Sequence, residues 1–223
     1  MARPSVSIVI PTLNEEKNIG VLIKEIRRIL EGREFDIIVV DGESADNTVK
    51  VAKRMGAKVL FDKIGKGSAL IRGLKAAKGD IVVSMDADLS HEPRELVLLI
   101  AGVEAGYDIC MGSRFISGGK TEDMTLLRRF GNWVFVSMVN LIFGAHYTDM
   151  CYGYRSFRKG VFQRLGLKEE GFGIETEINI KAVKRHLNTI EIPSTEKMRN
   201  AGEGKLRTFH DGYVILRTIL ANV

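Results

Sequence analysis

The chain opens on an alternation of short apolar runs and amphipathic segments. Val6–Ile10 is a β-branched run closed by Pro11. Glu15–Leu30 follows, with apolar side chains at Ile19, Leu22, Ile23, Ile26, Ile29 and Leu30, which is helical spacing. The pair of patterns then recurs. Ile37–Val40, Val59–Phe61, Ile81–Met85 and Tyr107–Met111 read as further buried strands. Asp46–Met55, Ser68–Ala77 and Pro93–Val103 read as the helices between them. Gly56 and Gly79 stop the first two, and a proline starts the third. Strands that are apolar throughout and alternate with helices predict an α/β fold, a mostly parallel sheet covered on both faces. Ligands on such sheets bind at the carboxyl ends of the strands.

Beyond residue 120 the regularity breaks. Thr125–Phe143 is a long helical pattern, Cys151–Phe157 is extended, Glu175–His186 helical, Thr189–Ile192 extended and Asp211–Leu220 helical. A polar, glycine-bearing stretch, Met198–Lys205, precedes the last helix. No low-complexity linker and no repeat divides the chain. One domain over 1–223 is expected, with a nucleotide-type half (1–120) and an elaboration over its face (121–223).

Composition narrows the classes. At 223 residues, 45% hydrophobic and 27% charged, there is ample material for a core, and disorder, collagen and a disulfide scaffold are excluded. The two cysteines, Cys110 and Cys151, form no metal-knuckle spacing and fit a reducing cytoplasm. No signal peptide is expected ahead of the first strand, and no apolar run reaches the roughly 20 residues needed to span a bilayer. The longest, Trp133–Phe143, is broken by Ser137 and Asn140. The net charge of +5 divides into +1 over residues 1–120 and +4 over 121–223. That points to an anionic partner for the second half, such as a phosphate or a membrane surface. With no basic run or base-stacking motif, no nucleic acid is expected.

The candidate chemistry lies in the loops after the strands: Pro11–Glu15, Asp41–Asp46, Asp86–Asp88 and Gly112–Arg114. Carboxylates there are costly unless they bind something. Asp86 and Asp88, flanking Ala87 at the end of a buried strand, can share one hard cation, Mg²⁺ or Mn²⁺, completed by substrate phosphates. The alternative is that Asp88 caps the next helix and Asp86 is solvated. Gly65-Lys-Gly-Ser lacks the spacing of a phosphate loop and more simply opens a helix, with Lys66 as a candidate phosphate contact. Glu175 and Glu177 are candidate bases should the acceptor be a hydroxyl, or else the acidic first turn of a helix.

Seven stretches in order carry a resemblance. They are Ser7–Glu15, Val40–Thr48, Gly65–Gly73, Met85–His91, Gly112–Phe115, Cys151–Arg155 and Arg199–Leu206. Together they resemble the family 2 glycosyltransferases of the GT-A fold, and among these the dolichol-phosphate mannosyltransferases and related polyprenyl-phosphate enzymes. The resemblance implies a Rossmann-like, mostly parallel sheet with an acceptor-side C-terminal elaboration. It implies that Pro11, Leu13, Glu15, Val39 and Asp41 line the nucleoside pocket. Asp86, Ala87 and Asp88 would hold metal and diphosphate, with Ser90 where relatives often carry a Gln of the metal shell. Arg114, Arg199 and Lys205 match basic residues facing donor or acceptor phosphates, and Asp88 and Arg114 are the candidate catalytic residues. Arg128, Arg129, Arg199 and Lys205 are candidates for the acceptor phosphate; otherwise they are a solvated helix start and a charged loop. The second-strand loop reads Asp-Gly-Glu where relatives often have Asp-Asp-Gly, so guanine and uracil both remain open. Gln163 and Trp133 are the only Gln and Trp, which excludes the Q-x-x-R-W motif of the processive synthases.

The expected activity is metal-dependent, inverting transfer of a hexose from a nucleotide-diphosphate sugar to a polyprenyl or dolichyl phosphate. GDP-mannose is the favoured donor, with a UDP-sugar as the alternative. A lipid phosphate is already anionic and needs no base. The alternatives are transfer to a protein, glycan or small-molecule hydroxyl, and a non-catalytic sugar-nucleotide-binding scaffold. The helices Leu126–Phe143 and Tyr213–Val223 either pack on the core or form a membrane platform. The protein is expected in the cytoplasm, peripheral on the cytoplasmic membrane face, with a membrane-anchoring partner as one way to hold it there.

Overall fold

The computed structural model describes residues 4–202 and 207–223. Its first half follows the predicted alternation: β1 (Val6–Thr12), α1 (Glu16–Ile29), β2 (Phe35–Asp41), α2 (Thr48–Arg54), β3 (Lys58–Phe61), α3 (Lys66–Ala76), β4 (Ile81–Ser84), then a 3-10 turn (Pro93–Glu95) running into α4 (Leu96–Glu104), and β5 (Ile109–Ser113). The second half holds β6 (Lys120–Thr121), α5 (Leu126–Phe143), β7 (Arg155–Arg158), α6 (Val161–Leu165), α7 (Ile174–Lys184), β8 (Thr189–Pro193), β9 (Thr195–Glu196) and α8 (Thr208–Ala221).

Seven strands form one sheet in the order β3-β2-β1-β4-β7-β5-β8, and β6 pairs with β9 beside it. Pairing is parallel except at β7, which runs antiparallel to both β4 and β5. Residues alternate between faces along each strand. Val9, Ile38 and Val40 join the core under α3, α5, α7 and α8. Ile8, Ile10, Ile37 and Val39 join the other, under α1, α2 and α4. On α1 the apolar positions predicted from spacing, Ile19, Leu22, Ile23 and Ile26, are fully buried.

The differences from the sequence reading have local causes. The helix expected from Asp46 begins at Thr48, because the Asp46 carboxylate accepts from the Thr48 N–H and hydroxyl and closes the preceding turn. The extended stretch expected over Cys151–Phe157 narrows to β7. Ahead of it, the N–H groups of Asp149, Met150 and Cys151 bond to side chains of Glu191, Asn132 and Asp149 rather than to a strand. Because β7 runs against its neighbours, its amino end lies at their carboxyl edge. Asp149–Tyr154 therefore joins the loops after β1, β4 and β5.

α3 approaches the sheet closely at Gly73. A Cβ there would press on Val9 Cγ1 and sit 3.0 Å from Val40 Cγ2. Gly73→Ala is expected to lower stability by about 1–3 kcal/mol through overpacking, read as a lower midpoint in urea unfolding.

Candidate active site

The carboxyl edge carries a cleft of about 720 Å³. Its wall runs from Pro11, Leu13, Glu15 and Gly42 past Asp62 and Lys66 to Asp86, Ala87, Asp88 and Ser90. It continues through Arg114, Glu175, Glu196 and Arg199 into the gap between α5 and α8, where Leu127, Phe135, Phe209 and Ile215 stand beside Arg128 and Asp211.

Lys66 heads α3 and reaches both oxygens of Asp86, at 3.0 and 3.1 Å. Its ammonium also lies 3.0 Å from Glu175 Oε1, out of line for a hydrogen bond. Burial alone would lower the Lys66 pKa; the two carboxylates outweigh it and raise it. Burial would likewise raise Asp86, but the Lys66 ammonium overrides this and holds the carboxyl down at about 2. The Gly65-Lys-Gly run has a packing reason. A Cβ on Gly65 or Gly67 would collide with the carbonyls of Glu170 and Glu169, whose loop closes over the helix start. The Ser68 N–H donates to Glu170 O at 3.1 Å there.

Asp88 is fixed from the other side. Its Oδ1 accepts from the Ser90 N–H (3.0 Å) and hydroxyl (2.7 Å). Its Oδ2 lies 2.8 Å from Arg199 Nη2, and Arg199 Nη1 is 2.8 Å from Glu15 Oε1. Between the carboxylates and Ser90, Leu89 takes φ 64°, a left-handed conformation costing about 1–2 kcal/mol in a non-glycine residue. The loop is thus held in a strained shape by the bonds of Asp88.

His91 supports the same loop from beneath. It is buried, stacks on Tyr154 with centroids 4.8 Å apart, and meets the Tyr152 ring edge-on. Its Nδ1 accepts the Asp86 N–H at 3.2 Å, which leaves the ring proton on Nε2. Burial lowers its pKa and keeps it neutral.

Arg114 is a brace as well as a wall. Nε and Nη2 make a forked pair with Asp149 at 2.7 and 2.8 Å, Nη1 reaches Glu196 at 2.9 Å, and the Tyr152 ring lies 4.8 Å from the guanidinium. Burial opposes its charge, and Asp149 followed by Glu196 raises its pKa in spite of it.

The remaining sequence candidates separate. Val39 is buried in the core under α1, and Asp41 is spent on Thr12 and Ser44, so the cleft wall passes through Gly42 instead. Arg128 lines the cleft, its Nε donating to Thr208 Oγ1 at 3.2 Å. Arg129 is exposed and donates to the Thr121 carbonyl. Glu177 accepts the Lys168 and Glu169 N–H groups and pairs with Lys181 at 2.7 Å, which anchors a loop. Lys205 lies outside the described residues. Asp149, Glu196 and His91 had no assigned role from sequence; Asp149 stands out as a carboxylate beside Met150, Cys151 and Tyr152, whereas Glu196 and His91 lie in polar runs that give no signal.

Among the described residues no three His, Cys, Asp or Glu side chains converge as a ready metal cage. Asp86, Asp88 and the Ser90 hydroxyl do present hard oxygen donors at the cleft. Two carboxylates completed by substrate phosphate fit Mg²⁺ or Mn²⁺.

Asp149→Ala strands a buried guanidinium. It is expected to cost about 3–5 kcal/mol, measured by denaturant unfolding, with Asp149→Asn milder because the amide oxygen still accepts.

The comparisons agree with this geometry. Residues 7–166 match the sequence profile described as Glycosyl transferase family 2. A dolichol-phosphate mannosyltransferase from Pyrococcus furiosus is 36% identical, over 91% of this chain and 59% of that protein. A dolichyl-phosphate hexose transferase from Haloferax volcanii is 32% identical, over 96% of this chain and 92% of that protein. The chain thus spans 59% of the length of the Pyrococcus protein. Glucosyl-3-phosphoglycerate synthase of Mycobacterium tuberculosis, solved with Mn²⁺ and UDP, shares the fold, with a TM-score of 0.75 at 22% identity over 98% of this chain and 80% of that one. The sheet is the mostly parallel GT-A sheet, and the chain belongs to glycosyl transferase family 2 and is a glycosyltransferase.

Proposed function

We propose that the enzyme moves a hexose from a nucleoside-diphosphate sugar to a polyprenyl phosphate, with inversion and with a divalent cation. The observation that carries this reading is one continuous cleft with two unlike ends, carboxylates at Asp86 and Asp88 and, between α5 and α8, a largely apolar gap of Leu127, Phe135, Phe209 and Ile215 with Arg128 and Asp211 beside them. The relatives named for dolichol-phosphate mannose and dolichyl-phosphate hexose transfer support it. GDP-mannose is the favoured donor, and a UDP-sugar is the alternative.

In this reading Pro11, Leu13, Glu15 and Gly42 take the nucleoside, while Asp86, Asp88 and Ser90 hold the cation. When bound, Mg²⁺ or Mn²⁺ neutralises the diphosphate and makes it a better leaving group. An acceptor phosphate oxygen attacks the sugar C1 from the face opposite the departing diphosphate. The C1–oxygen bond forms as the old one breaks, and the nucleoside diphosphate leaves with the electron pair. Arg128, which lines the cleft at the start of α5, orients the acceptor phosphate, with Arg129, Arg199 and Lys205 as further cations. The acceptor needs no base, in keeping with a site where the Glu175 carboxylate faces Lys66. The isoprenoid tail lies in the gap, where Gly131 and Gly212 leave room; a Cβ on either would meet nothing nearer than Phe135 Cζ at 3.9 Å.

α5 shows how a membrane enters the reading. Asn132, Val136 and Val139 are buried, while Leu126, Phe130, Trp133 and Leu141 share the opposite face at 84, 61, 63 and 87% exposure. Phe209, Tyr213 and Leu220 extend the apolar surface along α8. Such a patch, with Arg128 and Arg129 at its entry, suits a membrane interface with anionic headgroups. Among the described residues no helix is long and apolar enough to cross a membrane. In this reading the protein docks peripherally at the cytoplasmic face, alone or through an anchoring partner, and the apolar face of α5 supports it.

Incubation with labelled GDP-mannose or UDP-hexose, Mn²⁺ and a short polyprenyl phosphate is expected to move label into the lipid extract with inverted anomeric configuration by NMR. Asp88→Ala abolishes transfer, and Arg128→Ala lowers it about 10–100-fold, the loss of a charge-assisted phosphate contact. No lipid product with either donor, or turnover on a hydroxyl acceptor alone, sinks the reading. Trp133 is the only tryptophan. Its emission is expected to shift to the blue with anionic vesicles, and an unchanged spectrum with no flotation removes the membrane docking.

A further inference from the structure

Both carboxylates of the Asp-Ala-Asp loop are already matched by a cation, and neither cation comes from that loop. The two Asp86 oxygens face Lys66. Asp88 has one oxygen on Ser90 and the other on Arg199. Each cation holds a second carboxylate as well, Glu175 for Lys66 and Glu15 for Arg199.

Arg199 belongs to a segment laid along the loop, and its backbone is fastened independently of the guanidinium. The Lys197 N–H donates to Ser90 O at 2.8 Å and the Asn200 N–H to Asp88 O at 3.1 Å. The Asn200 amide donates to Asn18 Oδ1 at 3.0 Å, and the Asn18 amide to Ala201 O at 3.1 Å. The side chain is half-buried in the cleft wall. It can therefore turn into the cleft while the segment stays in place.

A divalent cation approaching Asp86 and Asp88 meets two positive charges already bonded to the oxygens it needs. It binds by displacing them, or in company with an anion that draws them away. A diphosphate in the same cleft is such an anion, because guanidinium and ammonium groups pair with phosphate as readily as with carboxylate.

We propose that Lys66 and Arg199 are exchangeable counter-ions. They hold Asp86 and Asp88 in the free protein and pass to the diphosphate when nucleotide and divalent cation enter together. The cation then binds weakly to the protein alone and tightly with the nucleotide. The inference rests on the donor half of the proposed function and assigns Arg199 to the donor diphosphate; its readouts contain no acceptor.

The test reads binding in the full chain. Mn²⁺ binding without nucleotide is followed by loss of the free-ion EPR signal, and GDP and UDP binding in Mn²⁺ by calorimetry. In Arg199→Gln, Mn²⁺ alone is expected to bind about 10-fold tighter and the better of the two nucleotides about 10-fold more weakly, an ordinary coupling between sites. Arg199→Lys keeps the charge and is expected to stay within about 3-fold of the unaltered protein on both, well below that coupling. Lys66→Gln gives a second reading at Asp86 with the same two signs. Mn²⁺ affinity unchanged or weakened in Arg199→Gln overturns the proposal, and so does unchanged nucleotide affinity. Failure of lipid transfer would leave these binding constants as they are, so the two readings fall separately.

Discussion

Three cations bridge six carboxylates along the carboxyl edge of the sheet. Lys66 spans Asp86 and Glu175, Arg114 spans Asp149 and Glu196, and Arg199 spans Glu15 and Asp88. Carboxylates withdrawn from water are tolerated only when paired and hydrogen-bonded. The bridges tie together chain segments far apart in sequence: the loop after β1, the head of α3, the loop after β4, the run before β7, the start of α7 and the segment after β9. The site's shape and its electrostatics are thus one constraint. With one cation for two carboxylates in each bridge, the edge keeps a negative surplus facing the cleft. A divalent cation is the kind of ligand that such a surplus attracts.

The sheet was readable from sequence wherever local pattern decides structure. β1, β2, β4 and β5 are short apolar runs followed by helices, and their helices carry apolar stripes of the right period. β7 was readable as an extended stretch within Cys151–Phe157, but not in its place or sense. Its four residues, Arg155–Arg158, include two arginines, and its antiparallel sense depends on where the chain returns after α5. Arg155 is almost wholly buried, its guanidinium bonded to Asn179 and to the Tyr152 carbonyl. Nothing in a local window announces a buried arginine in a central strand. The β6–β9 pair, two residues on each side, gave no signal.

The candidate site was legible by residue type but not by partnership. Asp86, Asp88, Glu15, Lys66, Arg114 and Arg199 all line the cleft, as strand-end position and family motif implied. Sequence could not say that Arg199 would lie on Asp88, because that contact depends on a segment from the far end of the chain crossing the loop after β4. Nor could it separate Glu175 from Glu177. Both begin the same helix, yet one lines the cleft beside Lys66 and the other turns back to cap the backbone at Lys168 and Glu169. Two residues along a helix is a turn of about 200°, enough to change the partner completely.

The charge surplus of the second half also changes meaning once it is placed. A net +4 over residues 121–223 suggested an anion-binding half. Much of it is scattered: Lys159 lies near Asp80, Arg158 near Asp108, Lys181 on Glu177 and Lys197 on Glu92. Those pairs are mostly exposed and contribute little field at the cleft. Arg199 is committed to carboxylates in the free protein. Arg128 is different in position rather than in charge. It heads α5, lines the cleft and reaches Thr208 at the start of α8, and the outer face of α5 carries Leu126, Phe130, Trp133 and Leu141. In the proposed reading, a phosphate with a long apolar tail needs a cation near such a face, because the head must stay near charge while the tail leaves water. Net charge says nothing of such placement; the proposed role of Arg128 rests on where one arginine lies.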